Sequence, residues 1–82
     1  MDWLEINDSL IKSFKTKDFR QAVAFIQLIA FEAEAMDHHP EIRNVYNLVE
    51  IKLCTHSAGN KVTSKDWELA ERIDRAFGAL HV

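Results

Sequence analysis

Histidines gather at two places in this 82-residue sequence. His38 and His39 are adjacent and directly precede Pro40, and His56 follows a strand-like segment. The reference pKa of a histidine side chain is about 6.5, so imidazoles gain and lose protons readily near neutral pH. Side chains at the ends of helices and strands can converge on a cleft. The three histidines are therefore candidate general acids and bases.

A carboxylate is spaced to assist one of them. Glu34 precedes His38 by four residues, which puts both side chains on one helix face if the last turn continues that far. A carboxylate at that position would hold the imidazole in one tautomer. The spacing therefore predicts a pair between Glu34 and His38.

Other interpretations of these residues are open. A single histidine at a helix end is usually a capping or dipole contact, although two adjacent histidines before a proline are harder to explain in this way. Histidines with carboxylates can also bind zinc or iron. Neighbouring side chains usually diverge, so His38 and His39 would be awkward co-ligands, and we expect no metal. Nucleophilic catalysis is not expected, because Cys54 falls mid-strand and is interpreted as a packing residue.

The first element that could position these groups is a hairpin. Residues 3–6 alternate weakly between apolar and polar, and residues 10–15 alternate more clearly. Between them, residues 7–9 are Asn-Asp-Ser, which favours a turn.

A long helix is predicted over 18–37. Asp18 and Gln21 have the spacing of a capping box at its start, and Pro40 predicts its end. Apolar residues recur at helical spacing and predict a buried stripe of Phe19, Val23, Ile26, Ala30 and Ala33, widened by Phe25, Ile29 and Met36.

The second half repeats the order of strands and helix. Residues 44–55 alternate like a sheet with one exposed face, and a tight connection near Asn47 and Leu48 would divide them into two strands. A second helix starts at Thr63 or Ser64, with a predicted buried stripe of Trp67, Ala70, Ile73 and Phe77. The expected fold is α+β, with two layers: a four-stranded antiparallel sheet with both helices on one face, in the order β-β-α-β-β-α.

Composition narrows the class of protein. A chain of this length predicts a single domain, residues 1–82, with a thin core that self-association would stabilise. The net charge of −3 argues against a nucleic-acid partner. The single cysteine, the lack of a basic and apolar leader pattern, and the lack of a membrane-length apolar run predict a cytoplasmic protein without membrane contact.

These motifs together resemble one known family. Glu34 and the His-His-Pro-Glu run at 38–41, Asn-Val-Tyr-Asn at 44–47, Thr-His at 55–56, Ala-Gly at 58–59 and Asp66 are similar to the pattern of pterin-4a-carbinolamine dehydratases. Where members often have an aromatic residue shortly after the proline, this chain has Ile42 and Arg43.

The resemblance implies an enzyme that dehydrates 4a-hydroxytetrahydropterins, including 4a-hydroxytetrahydrobiopterin, to quinonoid dihydropterin in tetrahydrobiopterin recycling. It implies no metal and no organic cofactor, a homo-oligomer (dimer or tetramer), and a pocket lined by the three histidines. The implied roles are acid–base catalysis by His38 and His56, and binding or proton transfer by His39. Glu34 would orient a histidine or hold the pterin, Tyr46 would pack in the pocket wall, and Asp66 would support the His56 region from the start of the second helix.

A protein-binding role is the alternative. Some relatives of this fold act as transcriptional coactivators or assembly chaperones, so a protein partner stays open. Relatives that have lost the histidines are not catalysts, whereas this chain retains all three, which favours the enzyme.

Overall fold

The computed structural model describes residues 2–80 of the chain. Its elements are β1 (Leu4–Ile6), β2 (Ser9–Lys15), α1 (Phe19–Met36), β3 (Glu41–Val45), β4 (Leu48–Leu53), a short 3₁₀ helix (His56–Ala58) and α2 (Ser64–Ala79). This order confirms the predicted β-β-α-β-β-α arrangement. No helix within residues 2–80 is both long and apolar enough to cross a bilayer.

The four strands form one antiparallel sheet in the order β1-β2-β4-β3. The first hairpin turns at Asn7 and Asp8, whose φ angles of 50° and 63° match the two-residue turn that suits strand twist. The second turns at Tyr46 and Asn47, one residue before the predicted connection. Strand β3 starts three residues before the predicted strand. It is an edge strand with only two apolar residues among its five, neither of them fully buried, which gives only a weak apolar pattern.

Both helices pack on the same face of the sheet, as predicted. The Phe14 ring of β2 lies 4.9 Å from the Phe25 ring of α1 and 5.0 Å from the Phe77 ring of α2, centroid to centroid. Strand β4 contributes buried side chains from alternate positions to this core: Val49, Ile51 and Leu53. The remaining positions of β4 face away from the helices.

The predicted apolar stripes are partly wrong. In α1 the buried residues are Ala22, Phe25, Ile29 and Ala33, whereas Phe19 is 53% exposed. Every residue from 22 to 26 is apolar, so spacing alone could not tell which ones face the core. In α2 the predicted Trp67 is also exposed, at 43%, and Asp66 and Leu69 are buried instead.

The two ends of α1 are set by local hydrogen bonds. The Asp18 side chain accepts from the Gln21 N–H at 2.8 Å, as the capping pattern predicted, but the Gln21 side chain accepts from the Lys17 N–H instead of the Asp18 N–H. At the other end, Asp37 takes a left-handed conformation with φ 50° and terminates the helix. The helix therefore ends within one residue of the predicted 18–37, but the left-handed turn at Asp37 ends it before the chain reaches Pro40, and the chain bends before the histidines.

Candidate active site

His38 lies immediately after the left-handed turn at the end of α1. Its backbone N–H donates to the Ala33 carbonyl at 3.0 Å, which fixes the direction in which the chain leaves the helix. The side chain is buried, and its Nε2 atom lies 2.6 Å from Oδ1 of Asp66. An ionised carboxylate only accepts hydrogen bonds, so Nε2 carries a proton in this contact. The other ring nitrogen, Nδ1, makes no hydrogen bond to any residue in the described range 2–80.

Asp66 is a fully buried carboxylate in the first turn of α2. Its Oδ2 atom accepts from the Thr55 hydroxyl at 2.7 Å and from the Thr63 backbone N–H at 2.8 Å. The Thr55 and Thr63 hydroxyl oxygens are themselves 2.7 Å apart. With the His38 contact, three donors surround this carboxylate, which is the kind of environment that makes a buried charge tolerable. Asp66 thereby joins the end of α1, the end of β4 and the start of α2.

His39 and Glu34 form a second, more exposed pair. The His39 Nε2 and Glu34 Oε1 atoms are 2.5 Å apart, and both side chains are largely exposed. The predicted pair between Glu34 and His38 is therefore wrong. Because α1 stops at Met36 and Asp37 turns the chain, His38 leaves the helical face and His39 comes next to Glu34.

His56 opens the 3₁₀ helix that follows β4. Its Nδ1 atom lies 2.7 Å from Oδ1 of Asn60. The amide oxygen only accepts, so Nδ1 is the donor and Nε2 is left as the lone-pair nitrogen of the neutral ring. Gly59, with φ 75°, and Asn60, with φ 60°, make the tight turn that allows this contact. Asp66 contacts this region through Thr55, the residue before His56. Its Oδ2 atom accepts from the Thr55 hydroxyl at 2.7 Å, while its Oδ1 atom contacts His38.

The three histidines line one open cavity of about 260 Å³, whose walls are Asp37, His38, His39, Thr55, His56, Ser57 and Lys65. A smaller cavity of about 50 Å³ adjoins it and shares His39 and His56, with Glu41, Lys52 and Cys54 as its other walls. Three imidazole side chains thus meet at the place where the ends of α1 and β4 and the start of α2 come together.

Tyr46 does not belong to this site. It occupies the β3–β4 turn, at the opposite end of β3 from His39, and the five residues of that strand separate the two by roughly 16 Å. Its exposed ring lines a larger depression of about 690 Å³ beside Phe19 and Val23. No histidine lines that depression. We therefore place the candidate chemistry in the cavity of about 260 Å³ that all three histidines line.

Sequence reasoning missed three of the supporting residues. Thr55 and Thr63 bond the buried carboxylate, and Asn60 bonds His56. The capping box formed by Thr63 and Asp66 contained a usable signal, because its geometry turns the Asp66 side chain back towards the preceding residues. No group of three or more histidine, cysteine or acidic side chains within residues 2–80 is arranged to hold a metal ion.

The fold and this site define a small α+β protein whose histidines meet at one end of a four-stranded sheet. The family model for pterin 4 alpha carbinolamine dehydratase matches residues 1–76. The chain belongs to this family.

Similar proteins agree with this assignment. A protein of Opitutus terrae provisionally named pterin-4-alpha-carbinolamine dehydratase is 49% identical over 73 residues, covering 89% of this chain and 75% of its own length. A Chloroflexus aggregans protein with the same provisional name is 46% identical over 78 residues, covering 94% of this chain and 82% of its own length.

Two solved structures share the fold. A transcriptional coactivator/pterin dehydratase from Brucella melitensis superposes with a TM-score of 0.85 at 39% identity, covering 90% of this chain and 80% of its own. A pterin dehydratase-like protein described as a RuBisCO assembly factor in the alpha-carboxysome has a TM-score of 0.74 at 23% identity, covering 90% of this chain and 84% of its own. The second likeness is one of fold alone.

Proposed function

We propose that this protein dehydrates 4a-hydroxytetrahydropterins, with 4a-hydroxytetrahydrobiopterin as the substrate and tetrahydrobiopterin recycling as the setting. The observation that carries the proposal is the single cavity lined by His38, His39 and His56, with His38 bonded to a buried carboxylate. Membership of the dehydratase family supports the choice of substrate class.

The reaction requires two proton movements and no change of oxidation state. The C4a–O bond breaks and the hydroxyl leaves as water, for which an acid must supply one proton. The N5 lone pair forms the new N5=C4a double bond, and a base removes the proton that N5 carried. The products are quinonoid dihydropterin and water, and the two transferred protons balance. A well-placed acid or base typically contributes about 10²–10⁴-fold to such a step.

His38 is the proposed acid. Its Nε2–H bond to Asp66 fixes the ring orientation and balances the positive charge of the doubly protonated ring, as a buried carboxylate does for a catalytic histidine. The second nitrogen, Nδ1, then carries the proton that is delivered to the leaving hydroxyl. Asp66 acts through His38 and is a positioning residue.

His56 is the proposed base. Its contact with Asn60 leaves Nε2 as the acceptor of the neutral ring, which is the form needed to take the N5 proton. His39, paired with Glu34 at the exposed rim, is assigned to substrate binding or to proton exchange with solvent.

A direct assay tests the proposal. The purified protein is mixed with a freshly generated 4a-hydroxytetrahydropterin, and dehydration is followed by absorbance against the uncatalysed rate. A protein-dependent acceleration supports the proposal. An uncatalysed rate at micromolar protein, with the fold verified by circular dichroism, contradicts it.

Self-association is the proposed assembly, with a dimer or tetramer of identical chains. The helix layer exposes large apolar side chains that a monomer would leave in water, of which Phe31 (74% exposed), Phe19 and Trp67 are the largest. Covering apolar area stabilises an assembly by about 25 cal/mol per Å². The same surface could receive a different protein partner, which the coactivator name of the Brucella melitensis relative favours.

The proposed location is the cytoplasm. The single cysteine, Cys54, has no second cysteine in the chain with which to form an intrachain disulfide, which suits a reducing compartment.

A further inference from the structure

The cavity of about 50 Å³ beside the histidines, called the small cavity below, has charged walls, Lys52 and Glu41, that the histidine-lined cavity of about 260 Å³ does not share. Its walls come from the sheet face that points away from the helices, where Lys52 and Cys54 alternate with the buried Ile51 and Leu53. Glu41 on β3 is the direct antiparallel partner of Lys52. The pair therefore presents an ammonium group and a carboxylate side by side at the edge of the site.

Neither charge is engaged elsewhere. Opposite charges at directly facing positions commonly pair, yet the Lys52 ammonium and the Glu41 carboxylate form no ion pair or hydrogen bond with each other or with another residue in the described range 2–80. Lys52 has three donors and no acceptor, and ionised Glu41 only accepts. Both groups are free to bind a ligand that offers an acceptor to one and a donor to the other.

The chemistry of the proposed reaction shows which part of a substrate lies next to the reacting atoms. C4a, N5 and C6 are consecutive atoms of the tetrahydropterin ring, so a substituent on C6 is bonded to the neighbour of the reacting nitrogen. Because His39 and His56 are walls of both cavities, a pterin whose C4a–N5 edge meets the histidines with N5 towards the small cavity places its C6 substituent there. A volume of about 50 Å³ accommodates roughly three water-sized groups.

We propose that the small cavity is a specificity subsite for the C6 substituent, and that Lys52 and Glu41 select pterins whose C6 chain carries hydroxyl groups. Each hydroxyl both donates and accepts, so neighbouring hydroxyls satisfy the carboxylate and the ammonium together. A methyl substituent satisfies neither, and a carboxylate or phosphate can bond the Lys52 ammonium but offers no donor to Glu41, whose charge repels it. The inference rests on the proposed function, since it takes the reacting edge of the pterin to lie against the histidines.

Steady-state kinetics with two substrates test the subsite. The 4a-hydroxy derivatives of tetrahydrobiopterin, which has a dihydroxypropyl chain, and of 6-methyltetrahydropterin are compared. The wild type should prefer the hydroxylated substrate by about 10-fold in kcat/KM, in line with one or two hydrogen bonds to charged groups near solvent. Lys52→Met should reduce the preference to about 2-fold by raising KM for the hydroxylated substrate, with kcat and the values for the methyl substrate unchanged.

Two further variants serve as comparisons. Glu41→Gln should lower the preference in the same way and by a smaller factor. Lys15→Met makes the same change as Lys52→Met on the same sheet face but opposite Leu48, at the far end of β4, and should retain the wild-type preference. Equal losses on both substrates in Lys52→Met, or a wild type without preference, would overturn the subsite.

Calorimetric binding of dihydrobiopterin and 6-methyldihydropterin separates this inference from the proposed function. Tighter binding of dihydrobiopterin that Lys52→Met removes, together with no turnover, supports the subsite and contradicts the dehydratase. Turnover with equal binding and equal KM for the hydroxylated and the methyl-substituted pterins contradicts the subsite and still supports the dehydratase activity.

Discussion

The His38 Nε2 atom lies 2.6 Å from Oδ1 of Asp66, although 28 positions separate the two residues in sequence. This contact joins the end of the first helix to the first turn of the second, inside a site that is otherwise open to solvent. A side chain in an 82-residue chain has few neighbours to hold it. Here one buried carboxylate with three donors performs that function.

The first prediction concerns that carboxylate. Asp66→Asn keeps the side-chain volume but replaces one acceptor oxygen with an amide that donates, so at least one buried donor loses its partner. We expect a loss of about 2–4 kcal/mol in the free energy of unfolding, measured by urea denaturation. Glu68→Gln, at an exposed position two residues on, should change stability by less than about 0.5 kcal/mol. A fully stable Asp66→Asn variant would show that the buried network does not hold the fold.

The second prediction separates activity from stability. His39 is exposed and contacts only the exposed Glu34 among the hydrogen bonds of residues 2–80. Removal of its side chain should therefore leave the unfolding free energy within about 0.5 kcal/mol of wild type. His39→Ala should still lower the dehydration rate by about 10². If His39→Ala and wild type have equal rates, His39 is neither a binding nor a proton-transfer group.

Much of the architecture was predictable because local signals and burial agreed. Asp18 and Thr63 are N-caps in the structure, and the buried Val49, Ile51 and Leu53 alternate with polar residues in β4. The side of the first helix that faces the core was not predictable to the same degree. Its apolar residues cover most of its circumference, so Ala22 and Val23 are equivalent by spacing although only Ala22 is buried.

The sequence predicted which histidines line the site better than it predicted which carboxylate each histidine contacts. The three histidines do converge, but Glu34 bonds His39, and Asp66 bonds His38. The wrong pairing of Glu34 with His38 arises because Asp37 adopts a left-handed conformation that sequence spacing could not reveal in a residue other than glycine. Tyr46 was misplaced for a different reason, since it marks a turn at the opposite end of its strand.

The third prediction concerns metal. The proposed mechanism uses only imidazole groups, so dehydration should proceed at an unchanged rate after dialysis against a strong chelator. Elemental analysis of the purified protein checks the metal content in parallel. Stoichiometric zinc or iron, together with activity that is lost on stripping and returns on readdition, would contradict the histidine mechanism.

The fourth prediction concerns assembly. Light scattering at micromolar concentration should give a mass of at least twice the 9.5 kDa of one chain. Phe31→Glu places a charge on the most exposed large apolar side chain among the described residues and should shift the mass towards the monomer. Lys17→Glu, in the exposed segment before α1, is the control and should retain the wild-type mass. A wild-type mass near one chain at all concentrations would show that the exposed aromatic residues do not mediate self-association.

The most direct test of the central claim is the dehydration rate of His38→Gln relative to wild type. The glutamine amide can still donate to Asp66, so the buried network is retained while the proton that Nδ1 would deliver is lost. With 4a-hydroxytetrahydrobiopterin as substrate, wild type should accelerate dehydration and His38→Gln should be slower by about 10² or more at equal folded protein. Equal rates in the two proteins would contradict acid–base catalysis by His38.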